Sequence, residues 1–260
     1  MTEIETPRSQ YVQIADIIRY RIERGIYPPG SHLPSEDQLA QELGVSRVTI
    51  NRAVGVLRSA GDVRVRRGTG AVVRSIPRIR RDATTRYAAR DQGTGAGEVE
   101  IRNLNMRSRT EYGEIGRTTP PADVAHALRI RSNQPALVRR RRFYADDQPT
   151  QLADSYYPWS LVKHCPDLHQ PDTGRGGSLA RLSDIGYPPL RYSEDIDVRM
   201  PTRDEQHRLD LDPTQPVFQI WHVAYTHDDV PVEVCVHVMP GHLWTLHYEW
   251  REPPRPTPAP

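Results

Sequence analysis

The sequence predicts an α+β protein in which a small helical N-terminal domain is joined to a larger C-terminal α/β domain. Two short capped helix patterns and a glycine-centred hairpin fall within the first 74 residues. From about residue 98, alternating strand patterns separated by polar turns predominate. The charge divides in the same way, because residues 1–81 carry a net charge of +6 and the remainder carries −4. A basic domain joined to a mildly acidic one is typical of a nucleic-acid-binding head with a sensor body.

The N-terminal part begins with an amphipathic helix pattern from about Arg8 to Arg24. A helix pair follows. Ser35 and Gln38 have the spacing of a capping box at the start of its first helix. Gly44 lies where a helix end needs positive φ, and Ser46 is placed to cap the second helix. The apolar residues of that second helix recur at helical spacing and are predicted to face inward: Ile50, Ala53, Val54 and Leu57.

The outward face of the second helix carries small and hydrogen-bonding side chains, which suit the floor of a DNA major groove. A strand pattern at residues 63–66, a hairpin tip at 67–70 and a return strand at 71–73 follow. The two glycines of the tip permit close approach to a phosphate or to the minor groove. The alternative interpretation is an ordinary helical hairpin in a globular core.

The stretch from Leu33 to Val54, with Tyr27 to His32 before it and the hairpin after it, closely resembles the GntR family of bacterial winged helix-turn-helix regulators. The resemblance implies that the start of the recognition helix and the tip of the wing contact DNA. The residues at those positions are Ser46, Arg47, Thr49, Asn51, Arg52, Arg67, Gly68, Thr69 and Gly70. Asp37 and Asn51 stand where many relatives carry arginine, so we expect base specificity to differ from the common sites of the family.

We predict a winged helix-turn-helix domain at residues 8–74, a linker at 75–97, an effector-binding and dimerisation domain at 98–251 and a disordered tail at 252–260. The arginines of the linker indicate either a segment that touches phosphates or a solvated connection. Beyond it we expect a strand starting at Val99, Ile101 and Leu104 and a helix started by proline near residue 120. Further strands are predicted at 136–144, 150–157, 192–199, 217–224, 230–238 and 243–250, with helices from 176 to about 185 and from 201 to about 209.

Four short motifs stand out in this second half: Asp146 to Pro149, Ser155 to Pro158, Gly177 to Leu179 and Pro231 to Glu233. With these motifs and its order of strands, the second half resembles the UTRA domain, the effector-sensing part of the HutC subfamily of GntR regulators, whose fold is similar to that of chorismate lyase. The resemblance implies a mainly antiparallel sheet and a pocket for a small molecule.

Six positions bind the effector in the sugar-phosphate-sensing relatives, and three of them match here: Arg141, Ser178 and Glu233. The other three positions hold Phe143, Ala153 and Met239. A neutral or more apolar effector is therefore expected rather than a phosphosugar. The alternatives are that residues 139–142 are two outward-facing and two structural arginines, and that Glu233 forms a salt bridge at a strand end.

Several classes of protein are not indicated. The histidines do not follow a zinc spacing, the two cysteines do not form a disulfide framework, and phosphate-loop or nucleophile motifs are missing. A run of about 18 apolar residues and a signal peptide are also missing. We therefore expect no cofactor, no metal, no membrane partner and a cytoplasmic, nucleoid-associated location.

The leading interpretation is a homodimeric transcriptional repressor that is released from a near-palindromic DNA operator by a small-molecule effector bound in the C-terminal domain. One alternative is a ligand-independent, autoregulated repressor of the plasmid or phage type. The other is an enzyme that uses the chorismate-lyase-like domain, although no paired acid and base stand in a recognisable motif and fold alone is weak support for catalysis.

Overall fold

The computed structural model describes residues 8–66, 70–83 and 96–250. The described chain forms two compact units. The first, here called the head, comprises the residues up to Arg78 together with Val198–Val217 and Pro240–Leu243. The second, here called the body, comprises Ile79–Asp197, Phe218–Met239 and the residues from Trp244 onward. The domain boundaries predicted from the sequence, at residues 74, 97 and 251, stay a prediction.

The described chain begins with three helices followed by three strands, then mixes helices and strands, and ends with three strands. The helices are α1 (Gln10–Glu23), α2 (Glu36–Leu43), α3 (Arg47–Ala60), α4 (Ala96–Arg102), α5 (Ala122–Ala127), α6 (Trp159–Val162), α7 (Gly177–Asp184) and α8 (Arg203–Leu209), with a 3-10 helix at Pro166–His169. The strands are β1 (Val63–Arg66), β2 (Gly70–Val73), β3 (Ile79–Asp82), β4 (Ser108–Thr118), β5 (Ala136–Ala145), β6 (Gln148–Pro158), β7 (Arg191–Arg199), β8 (Val217–Tyr225), β9 (Pro231–Pro240) and β10 (Trp244–His247).

The head contains the expected winged helix-turn-helix, with α2 and α3 as the helix pair and the antiparallel hairpin β1–β2 as the wing. The capping box of Ser35 and Gln38 is present, and Gly44 ends α2 with φ at 64°. Both signals were predicted from the sequence and are confirmed. Ile18, Leu39 and other fully buried side chains of α1, α2 and α3 form the core of the head. This core holds α3 with one face inward, so that its opposite face is exposed to solvent.

Residues from late in the chain pack on the C-terminal end of α3. Asp212 Oδ2 lies 3.0 Å from Arg58 Nε, and the Gln215 side chain donates a 2.8 Å hydrogen bond to the Arg58 carbonyl. The hydroxyls of Ser59 and Thr214 are 2.8 Å apart. These contacts fix the far end of α3, at the opposite end from the turn that begins it.

The body is built on a six-stranded sheet in the order β4-β5-β6-β9-β8-β7. The pairs β4–β5, β5–β6 and β6–β9 are antiparallel. Along each strand, alternate residues lie on opposite faces of the sheet. Val138, Tyr156 and Val234 pack on one face with Val124 and Leu128 from α5 and its end. On the other face, the apolar residues at one end form a core with α6, α7 and the 3-10 helix: Leu137, Tyr157, Val162, Leu168 and Leu182. A separate parallel pair joins β3 to β10.

One predicted strand is wrong. The segment that begins at Val99 is helix α4, in which Ile101 is buried to 2% exposure. Val99 and Ile101 alternate, but a window of seven residues does not separate a period of 2 from a period of 3.6. The sequence prediction also missed β3, which lies within the predicted linker range, and β4. The predicted tail at 252–260 lies outside the described residues.

Candidate DNA-binding and effector-binding sites

The recognition helix α3 begins at an exposed turn. The Ser46 hydroxyl accepts a 3.2 Å hydrogen bond from the backbone N–H of Thr49, and the two hydroxyls lie 2.8 Å apart. Ser46, Arg47, Asn51 and Arg52 are exposed, whereas Thr49 is half-buried. The five residues predicted for the start of this helix are therefore accessible at the surface of the head, four of them exposed and Thr49 in part.

Two acidic residues at the start of α2 lie against that surface. Glu36 Oε2 lies 3.1 Å from Arg47 Nε, and Glu36 Oε1 accepts a 2.8 Å hydrogen bond from Asn51 Nδ2. Asp37 Oδ2 lies 3.5 Å from Arg47 Nη1. The hydrogen bond to Glu36 and the charge of Asp37 raise the pKa of Arg47. Within the described part of the chain, Arg52 makes no comparable ion pair.

Val48 is a residue of this surface that the sequence reasoning did not select. Val48 is 63% exposed although its side chain is apolar. An apolar side chain at this position of a recognition helix can contact the methyl group of thymine. The sequence contains the signal, because helical spacing from the inward residues Ile50, Ala53 and Leu57 puts Val48 on the outward face.

The wing is described on both sides of its tip. Strand β1 pairs with β2, and the Leu33 backbone N–H donates a 2.8 Å hydrogen bond to the Ala71 carbonyl. Gly70 is exposed and has φ at 82°, which favours glycine. Arg67, Gly68 and Thr69, which the sequence also selected, lie outside the described residues.

In the body, the three predicted effector residues meet around the buried Tyr157. The Tyr157 hydroxyl donates a 2.7 Å hydrogen bond to Glu233 Oε1. Burial and the neighbouring Glu233 raise the pKa of Tyr157, and a side-chain hydrogen bond with Ser178 acts in the opposite direction. The Arg141 guanidinium donates to the Ser155 hydroxyl on the same face. Arg141, Ser178 and Glu233 are thus part of one polar cluster that the sequence reasoning had assembled without Tyr157.

The polar cluster extends along the sheet. The ring nitrogen Nδ1 of His237 lies 2.7 Å from Gln151 Nε2 and 3.9 Å from the thiol of Cys235. That thiol is also 3.7 Å from Arg141 Nη2, and burial raises its pKa to about 11. Polar residues at alternate positions of β6 and β9 are the sequence signal that would have identified Gln151, Ser155 and His237.

The four consecutive arginines of β5 divide between the two faces of the sheet. Arg140 pairs with Glu114 at 3.1 Å, and Arg142 pairs with Glu111 at 2.6 Å. Arg139 is 2% exposed and donates to backbone carbonyls of the loop at residues 168–171. Arg139 and Arg141 therefore share the face of the polar cluster, where Arg139 holds the loop through backbone carbonyls and Arg141 hydrogen-bonds to Ser155.

Among residues 8–66, 70–83 and 96–250, no three His, Cys, Asp or Glu side chains are grouped so as to hold a metal ion. Cys165 and Cys235 are buried and free. The helices described here do not include one that is long and apolar enough to cross a membrane.

A winged helix-turn-helix with an exposed, polar recognition helix, joined to a sheet-based sensor body, defines a DNA-binding transcriptional regulator. Comparison with known families agrees with this class. Residues 10–73 match the model of the bacterial regulatory proteins of the gntR family, and residues 103–243 match the UTRA domain. The chain belongs to the GntR family, in the HutC subfamily that carries a UTRA domain.

Individual relatives support the assignment. An HTH-type transcriptional regulator of Streptomyces coelicolor is 30% identical over 93% of this chain and 92% of its own length. The histidine utilization repressor of Pseudomonas aeruginosa is 28% identical over 74% of this chain and 71% of its own length. The structure of PhnF from Mycobacterium smegmatis, at 22% identity, superposes with a TM-score of 0.58 and covers 92% of this chain and 98% of that chain, which shows the shared fold.

These findings decide between two of the interpretations made from the sequence. The family and its relatives are transcriptional regulators and not enzymes, so the chain is a regulator rather than a catalyst. GntR regulators of this type bind DNA through the helix-turn-helix and small-molecule effectors through the UTRA domain.

Proposed function

We propose that the chain is a homodimeric repressor that leaves a near-palindromic operator when a small effector binds in its UTRA domain. The observation that carries this proposal is the exposed start of α3, where Ser46, Arg47, Asn51 and Arg52 form one accessible polar surface. Two copies of that surface, related by a two-fold axis, would read the two halves of an inverted repeat. The protein would act in the cytoplasm, at the nucleoid, and without a membrane partner.

On the DNA side, the exposed arginines are suited to guanine edges or phosphates, and the hydroxyls of Ser46 and Thr49 to backbone oxygens. Val48 adds an apolar contact for a thymine methyl group. In the wing, the proposed contacts are Arg67, Gly68, Thr69 and Gly70.

On the effector side, Arg141, Ser178 and Glu233 are the proposed contacts, and Tyr157 is added to them because it hydrogen-bonds to Glu233. Two buried guanidinium groups, those of Arg139 and Arg141, share this face with the carboxylate of Glu233. Because Arg139 already donates to three backbone carbonyls, Arg141 and Glu233 are left to face an effector, which suits a small molecule that offers both acceptors and donors. The ring of Phe143, 5.7 Å from the Arg141 guanidinium, supplies an apolar wall.

Effector binding would lower operator affinity through a coupling of about 1–3 kcal/mol, with residues 75–97 as the element that responds. A library of small metabolites screened by thermal shift tests this proposal. A ligand that stabilises the wild type should stabilise Arg141→Met much less and should release wild-type protein from its operator. If no ligand does either, the ligand-independent repressor is supported instead.

A matched control separates the site from the fold. Arg142 lies on the same strand but pairs with Glu111 on the other face of the sheet. Arg142→Met should therefore respond to the ligand as the wild type does. Equal loss of response in the two variants would contradict the proposed site.

A further inference from the structure

The start of α2 places two carboxylates beside the side chains that face DNA. The Glu36 side chain is 29% exposed, and its two oxygens accept from two different residues of α3. One oxygen accepts a hydrogen bond from Arg47 Nε at 3.1 Å, and the other accepts one from Asn51 Nδ2 at 2.8 Å. A single carboxylate thus holds two of the five predicted recognition residues of this helix.

The bonds to Glu36 determine which atoms remain for DNA. With Nε of Arg47 engaged, the end-on pair of terminal nitrogens is left, and this pair matches the O6 and N7 atoms of guanine. With one hydrogen of Nδ2 engaged, Asn51 still offers its carbonyl oxygen and a second N–H, which match N6 and N7 of adenine. Both side chains are therefore held for base edges before DNA arrives, and little of their rotamer freedom is left to lose on binding.

Asp37 acts on the same arginine from the other side. Its side chain is 72% exposed and its Oδ2 lies 3.5 Å from Arg47 Nη1. A carboxylate on a DNA-facing surface repels phosphates and offsets the positive charge that Arg47 brings. Its effect falls on the sequence-independent part of binding, which depends on charge alone.

We propose that Glu36 is a positioning residue that orients Arg47 and Asn51 for base reading, and that Asp37 weakens binding to non-specific DNA, so that the two together raise sequence selectivity. The proposal rests on the DNA-binding function of the head. It adds two residues that do not themselves need to touch a base.

The test uses the full-length protein, a duplex obtained by selection from a random library, and a scrambled duplex of the same composition. Glu36→Gln should weaken binding to the selected duplex by about 5- to 100-fold, since discrimination at one or two bases is lost. Its binding to the scrambled duplex should not weaken, and should tighten by no more than about tenfold because a carboxylate beside Arg47 is removed. Repeated selection should give relaxed preference at the affected bases.

Two controls keep the result interpretable. Glu36→Asp retains a negative charge at the start of α2 but cannot reach both partners, so it should lose selectivity in the same way. Glu42 lies on the same helix, and its carboxylate pairs with Arg21 at 2.7 Å. The Glu42→Gln variant should therefore bind both duplexes as wild type does. Thermal unfolding of each variant checks that the head remains folded.

The second arm concerns Asp37. Asp37→Asn should bind the scrambled duplex about three- to tenfold more tightly and should steepen the salt dependence by up to about one unit of slope, because Arg47 becomes available to a phosphate. Equal effects of Glu36→Gln on both duplexes, or no effect of either variant, would overturn the proposal. If instead the wild type shows no salt-dependent binding to any duplex, the DNA-binding function itself fails.

Discussion

Replacing Arg139 by methionine should destabilise the body by about 2–4 kcal/mol. The guanidinium is buried and donates to the carbonyls of Leu168 at 2.6 Å, Gln170 at 2.5 Å and Pro171 at 3.0 Å. A hydrogen bond from a charged donor contributes roughly 1.5–3 kcal/mol to the free energy of unfolding. Losing three such bonds therefore costs more stability than replacing an exposed residue does. Part of that contribution is recovered in the variant, because the buried charge, whose pKa is lowered by burial, is no longer desolvated.

Arg140→Met is the matched control, because Arg140 is the next residue of the same strand and points to the other face. Its side chain is 39% exposed and pairs with Glu114 and Asp154. Exposed pairs contribute about 0–1 kcal/mol, so this variant should be nearly as stable as wild type. Urea unfolding measures the difference, and hydrogen exchange by mass spectrometry should show faster exchange at residues 165–171 in Arg139→Met alone. Equal stability of the two variants would refute the reasoning.

Three further predictions concern other parts of the molecule. Arg52→Ala should reduce operator affinity and, if the side chain meets a phosphate, lower the salt slope by about one unit, as titrations at several salt concentrations will show. Gly61→Ala should destabilise the head, because φ is 77° and a Cβ would lie 2.3 Å from the His242 ring. Gly55 is an interior residue of α3, and a Cβ there would meet no other atom, so Gly55→Ala should stabilise the head by about 0.5–1 kcal/mol in thermal unfolding. Glu194→Gln should destabilise the body at neutral pH. Burial opposes ionisation of Glu194, but hydrogen bonds from His222 and Arg81 lower its pKa below the value in the unfolded chain. In urea titrations, the difference in free energy of unfolding between wild type and variant should therefore be largest above pH ~5 and should shrink as the pH falls below ~4.

The helix pair could be predicted because its signals are local. Ser35 with Gln38, Gly44 and Ser46 each act over no more than four residues, and the structure contains each of them as a cap or a turn. The inward positions of α3 follow from helical spacing alone. These features therefore depend little on the rest of the fold.

The contacts that tune the site depend on packing between distant residues. Asn51 meets Glu36 only because α2 and α3 cross at that point, and Tyr157 meets Glu233 only because β6 and β9 are neighbours. Spacing in the sequence carries no information on either contact. Strand β4 escaped prediction for a related reason, since it is an edge strand with mainly polar, exposed positions and two glycines.

The most direct test of the central claim is the affinity of the wild-type protein for its selected duplex, measured from low to high salt. We predict that selection yields an inverted repeat, that two chains bind each duplex, and that log affinity falls linearly and steeply with log salt. Binding that is insensitive to salt, or selection that enriches no sequence, would contradict the account.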